Sequence, residues 1–162
     1  MRVFLIFILL LITATSRLFA EDAIPLAPDF TLRELHNDFY FFPDTSGILE
    51  YSDIQKDTSR FIFIKSTREI PYMHHLNGSV WIKFYLENQS QKSKKVLVHF
   101  DFPLYDTITM YQKDTIEVIE ESLGLALPFF VRKRLNPDPL FEVYLEPQEK
   151  KEIVFKISKT TG

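Results

Sequence analysis

Alternation of apolar and polar residues recurs along this chain at a period of two, and nothing else in it restricts the fold so strongly. "RFIFIKS" (60–66), "SVWIKFYLEN" (79–88), "KKVLVHFDF" (94–102), "DTITMYQ" (106–112), "TIEVIEE" (115–121), "LFEVYLEP" (140–147) and "KEIVFKIS" (151–158) each place apolar groups on one side of an extended backbone. Turn-rich segments such as "ENQSQKS", "NPDP" and "PQEK" separate them. Sixteen Phe and seven Tyr against four Gly fit aromatic-rich strands rather than a disordered tail. A single antiparallel two-layer β-sandwich is the expected fold. Only residues 51–57 suggest a helical turn, with 31–38 a weaker candidate.

The first twenty residues carry the compartment. Arg2 precedes the unbroken apolar run "VFLIFILLLI", and "TATSRLFA" ends in a small residue before Glu21. That order is that of a secretory signal peptide, with cleavage expected after Ala20. Ten apolar residues span about 15 Å as helix, roughly half of a bilayer core. The mature protein is therefore expected to be periplasmic or extracellular. The last run, 151–158, is expected to pair within the sheet and close the domain.

Composition excludes several function classes. Net charge is −3 and becomes more negative once Arg2 and Arg17 are removed. An acidic chain without a basic stripe does not neutralise phosphates, so nucleic acid is not an expected partner. Zero cysteines remove thiolate chemistry, thiolate zinc sites and disulfides. There is no Gly-rich phosphate loop, no G-x-S-x-G turn and no H-E-x-x-H pair. His74 and His75 are adjacent, so on a strand they face opposite ways and do not share one ion. Glu120 and Glu121 follow a strand, but sequence spacing carries no information on the carboxylate separation a glycosidase needs. No enzyme activity, cofactor or metal is expected. Asn77-Gly-Ser and Asn88-Gln-Ser match the glycosylation acceptor pattern and read equally as turn asparagines beside a strand.

The best constellation lies around "NGSVWIKFYLENQS" (77–90). Val80, Ile82, Phe84 and Leu86 face one way; Trp81, Lys83, Tyr85 and Glu87 face the other. If 79–88 and 94–102 are hairpin partners, Trp81, Lys83 and Tyr85 share a face with His99 and Asp101. Aromatic planes stack on sugar rings and polar neighbours take hydroxyls, so such a face suits a saccharide. The alternative buries Trp81 against a second sheet or a covering loop, leaving Lys83 and Tyr85 at the margin of a shallow site. Burial is the expectation for a lone tryptophan in this setting.

"YFFPDTSGILEYSDI" (40–54), "NGSVWIKFYLENQS", "DFPLYDTITMYQ" (101–112) and "LPFFVRKRLNPDPLFEVYLEP" (127–147) occur in the order and spacing of one known domain. The chain resembles the second type of extracytoplasmic sensor domain of bacterial seven-transmembrane receptors with diverse intracellular signalling modules (7TMR-DISM), over residues 28–161. The resemblance implies a jelly-roll β-sandwich similar to carbohydrate-binding modules. It also implies a non-enzymatic sensor of small molecules, carbohydrates among them, coupled to membrane signal transduction. Trp81, Asp106 and Arg132 fall on characteristic positions, as do Pro103, Leu104, Leu127 and Pro128. Arg132 is read as holding a structural or ligand-orienting ion pair with Asp106, or as a solvated member of the run Arg132-Lys133-Arg134. Where the family shows a histidine and a basic residue, this chain has Asn136 and Pro137. No seven-helix segment follows, so the chain reads as a truncated receptor or as a module acting on a membrane signalling protein in trans. The competing class is an envelope structural or partner-binding protein that uses a sheet edge or aromatic face. A hydrolase on the same sandwich ranks last.

Overall fold

The computed structural model describes residues 22–29, 31, 33, 35, 37–56, 60–67, 78–100, 106–113, 117–128 and 139–159. The strands are β1 (Ala23–Leu26), β2 (Tyr40–Asp44), β3 (Ile64–Lys65), β4 (Gly78–Asn88), β5 (Lys94–His99), β6 (Thr107–Lys113), β7 (Val118–Leu123), β8 (Leu140–Leu145) and β9 (Lys150–Lys159). The one described helix, α1, is Tyr51–Lys56. The protein is all-β and two-layered, as its alternation requires. The signal-peptide segment 1–20 lies outside the described residues, as do Asp101 and Arg132. Among the described residues no helix is long and apolar enough to cross a membrane.

Seven strands form the larger sheet in the order β3-β2-β4-β9-β6-β7, with β1 also on β4. All pairs are antiparallel except β1–β4, which is parallel. β4 is long enough to hold two partners on one side: β2 runs along 79–83 and β1 along 85–88. β5 and β8 make the second sheet. Its Val96, Val98, Phe141, Val143 and Leu145 face Val80, Ile82, Phe84, Leu86, Met110, Ile153 and Phe155 of the larger sheet across the main core. Phe155 is the hinge of that core, with Phe100 and Phe141 edge-on to it at 4.9 and 5.2 Å.

The hairpin considered between 79–88 and 94–102 does not form: β5 pairs with β8 rather than with β4. β4 and β5 lie in different sheets, and residues 89–93 carry the chain across the sandwich. Asn88 builds that corner. It takes the next inward position after Leu86, where its amide nitrogen donates to the carbonyls of Lys92 (2.9 Å), Glu146 (2.8 Å) and Leu145 (3.4 Å). Its amide oxygen accepts from the backbone N–H and hydroxyl of Ser90, at 3.1 and 2.8 Å. One fully buried polar side chain thus ties the end of β4 to the end of β8. The turn reading of the Asn88 acceptor sequence is the one the structure supports.

Segment 31–38 holds no helix among its described residues, whereas α1 follows the expectation for 51–57. The backbone N–H of Glu50 donates to the Asp53 carboxylate at 3.1 Å and the Glu50 carbonyl accepts from Asp53 N–H at 3.0 Å, which caps the first turn. Tyr51 and Ile54, three residues apart, point to the same side and are buried.

Candidate functional site

The face of the larger sheet turned away from the second sheet carries its own cluster. Trp81, Tyr111 and Val154 come from β4, β6 and β9; Tyr51 and Ile54 come from α1, and Phe61 from the segment before β3. Phe42, Leu49 and Phe63 pack at its rim. Register explains the grouping, because Phe42, Trp81, Lys156 and Thr109 form one row across the strands, and Tyr40, Lys83, Val154 and Tyr111 the next. Trp81 has 0% of its surface exposed, so it is buried beneath a cover formed by α1 and residues 60–63.

This covered cluster is unusually polar for a core. Among the described residues Trp81 Nε1 finds no hydrogen-bond partner, and an orphaned buried donor costs about 1–3 kcal/mol. The Lys156 ammonium lies 5.3 Å from the centre of the indole and donates to the Leu49 carbonyl at 2.6 Å. The Tyr51 ring lies on the Tyr111 ring at 4.5 Å and 7°, and Tyr111 stacks on Trp81 at 5.8 Å. Burial, then the charges of Glu120 and Glu50, push the Tyr111 hydroxyl up to about 12. Burial also raises the Tyr51 hydroxyl, with Glu152 adding to it.

Beyond the cover, among the described residues, the same face continues as a set of half-buried rings and charges. Lys83 Nζ lies 4.8 Å from the Phe63 ring, 5.7 Å from Tyr85 and 5.9 Å from Tyr40. Lys150 Nζ lies 4.9 Å from the centre of the Tyr85 ring. The Tyr85 hydroxyl donates to the Glu152 carboxylate at 2.5 Å. Tyr40, Phe63, Lys83, Tyr85 and Glu152 are all half-buried, so each offers part of its surface to water. The result is a shallow patch of aromatic rings interleaved with charge. At its edge Lys65 pairs with Asp22 at 2.6 Å; that contact holds the Asp22 carboxyl below its ordinary value and the Lys65 ammonium above its own.

The residues expected from sequence divide accordingly. Trp81, Lys83 and Tyr85 share one face, with Trp81 buried and the other two at the margin. His99 does not join them: it sits on the exposed side of β5, on the opposite face of the sandwich. Its placement beside Trp81 is corrected for that reason. Asp106 is half-buried just before β6, and its carbonyl accepts from Ala126 N–H at 2.9 Å, which closes the turn after β7. Asp101 and Arg132 lie outside the described residues, and so does the pairing of Arg132 with Asp106. Tyr40, Phe63, Lys150 and Glu152 were not legible as site residues, because only strand register brings them beside Tyr85. No group of three or more His, Cys, Asp or Glu suited to a metal occurs among the described residues.

No curated protein and no solved structure matches the chain. Residues 36–162 match the family described as 7TMR-DISM extracellular 2. With an all-β two-layer fold and a match over most of its length, the chain belongs to the 7TMR-DISM extracellular 2 family.

Proposed function

We propose that the protein is a non-enzymatic sensory domain acting outside the cytoplasm, and that it binds a carbohydrate-like small molecule on the open patch of Tyr40, Phe63, Lys83, Tyr85 and Glu152. Its family is one of receptor extracellular sensor domains, which supports the sensory role and the extracytoplasmic setting. The observation that carries the ligand class is the patch itself. Partly exposed rings offer flat apolar area for the C–H face of a pyranose, while ammonium and carboxylate groups beside them suit its hydroxyls. On this reading the sandwich is a jelly roll like those of carbohydrate-binding modules, residues 1–20 direct export, and the bound state is read by a membrane signalling protein in trans or in a longer parent chain.

A glycan array followed by calorimetry on the best saccharide tests the ligand class. Tyr85→Ala is expected to weaken binding by about five- to tenfold, the loss of one aromatic contact of about 1–1.5 kcal/mol. His99→Ala, on the far face, is expected to leave it unchanged. An array without hits, or full affinity in Tyr85→Ala, refutes the proposal. The competing reading, a partner-binding envelope protein, draws on the edge strand β3, where Ile64 is exposed, and on Ile62 just before it. Loss of a protein partner on Ile64→Lys, with no saccharide binding, is the outcome that favours it.

A further inference from the structure

We infer that α1 and residues 60–63 form a displaceable cover, and that Trp81, Tyr111 and Lys156 beneath it are an inner floor to which a pyranose-type ligand gains access when the cover lifts. The inference rests on the proposed saccharide reading and extends that patch along β4, from Lys83 to Trp81.

Four observations converge on it. The indole N–H is fully buried with no acceptor among the described residues, so the closed state leaves a donor that a ligand hydroxyl would satisfy. The cation over the indole, Lys156, is bonded to a backbone carbonyl of the segment leading into the cover, so lifting the cover frees it for a ligand oxygen. Tyr51 of the cover lies flat on Tyr111, in the position and orientation a sugar ring takes on an aromatic platform. The cover therefore occupies its own site as an internal mimic. Finally, it is held by few groups: Tyr51, Ile54 and Phe61 are its buried apolar residues, Phe63 is only partly buried at the rim, and Ile62 stands 74% exposed. The main core, by contrast, is closed from both sheets.

A sensor needs such an element. A ligand that binds a rigid surface shifts no equilibrium, whereas one that binds the uncovered face better shifts it by its differential affinity. Cover displacement would turn occupancy of the patch into a change of shape.

The chain has no cysteine, which permits a clean test. Val154 and Ile153 are adjacent on β9 and both buried, Val154 beneath the cover and Ile153 in the main core. In the full chain, Val154→Cys and Ile153→Cys are labelled with a thiol reagent in native buffer, each rate corrected for that variant's global stability in urea. The Val154→Cys thiol is expected to react at least about 100-fold faster, because local opening exposes it while the sandwich stays closed. Rates within about threefold of each other overturn the inference. Should either variant misfold, the unmodified protein supplies a second readout through its single tryptophan. Trp81 becoming quenchable by iodide at urea concentrations where the far-ultraviolet circular dichroism is still native supports the cover. Coincident transitions overturn it. Cellotetraose and chitotetraose are the ligand probes. A probe that binds by calorimetry yet moves neither Trp81 emission nor Val154→Cys labelling also overturns the inference. Absence of any saccharide binding counts against the proposed ligand class, and the labelling ratio still judges the cover.

Discussion

Replacing Asn88 is a severe polar perturbation, and its size follows from the geometry. Asn88→Ala removes two short bonds to the Lys92 and Glu146 carbonyls, a longer one to Leu145, and two acceptances from Ser90. At about 1 kcal/mol net for each good bond, plus the penalty for a buried carbonyl left unpaired, the loss comes to about 3–5 kcal/mol. Against a total of about 5–15 kcal/mol this is a large fraction. Urea unfolding followed by circular dichroism measures it directly. Asn88→Asp sharpens the reasoning, because it keeps the shape and the Ser90 contacts but turns the amide donor into an oxygen facing carbonyls. Desolvation and those carbonyls disfavour the charged form, so the introduced carboxyl has a folded-state pKa raised above the ordinary value of about 3.9. A raised pKa means stability that is present below about pH 4 and lost as pH rises through the folded value. A cost below about 1 kcal/mol for Asn88→Ala, or an Asn88→Asp variant that gains stability as pH rises above 4, would refute this account of the corner. The same engagement predicts that Asn88 carries no glycan in the folded protein, checked by intact mass after expression in a glycosylating host.

Further outcomes are expected elsewhere. Gly78 has φ of +113° and a Cβ there would lie 2.3 Å from the Asp44 carbonyl oxygen, so Gly78→Ala should cost about 2–4 kcal/mol in urea unfolding. Phe84 is buried in the main core and stacks on Phe155 at 6.0 Å; Phe84→Ala should cost about 3–5 kcal/mol. Trp81 should emit at short wavelength and resist iodide in native buffer, and Trp81→Ala should cost about 3–5 kcal/mol; an emission maximum typical of indole in water contradicts its burial. Tyr111 has its hydroxyl raised from 10.0 to about 12 by burial, so its stabilising contribution is complete below pH 10 and lost as pH rises towards 12. The loss, at most about 2–3 kcal/mol, should appear in urea midpoints across that range and vanish in Tyr111→Phe.

Period-two alternation made most strands legible, because burial of one face leaves a direct trace in sequence. Two strands escaped for physical reasons. β2 contains Pro43, a residue that usually argues against a paired strand, yet β3 pairs only with Tyr40 and Phe41, so the missing N–H costs nothing there. β1 is four residues long and includes Pro25. "RFIFIKS" alternates as a strand does, but only Ile64–Lys65 pairs; Phe61 and Phe63 instead lie over the sheet's outer face. The hairpin between 79–88 and 94–102 failed because a five-residue link serves equally to turn back within a sheet or to cross to the facing one. Asn88 decides between them through contacts with β8, more than fifty residues away, and no local pattern encodes that. For the site, sequence placed Trp81, Lys83 and Tyr85 on one face through their spacing, while the partners that define the patch depend on register across β2 and β9.

β9 lies between β4 and β6 along most of its length, in the middle of the larger sheet. A load drawn along that strand does not peel hydrogen bonds one at a time, as it would at an edge. It meets the ladders to both neighbours in shear, so many bonds bear the load together and the strand behaves as a stiff rod anchored over ten residues. Val154, Lys156 and Glu152, which line the outer face, are set directly into this rod. Mechanically, the outer-face side chains of β9 are therefore seated on a strand that shear must break along both edges at once.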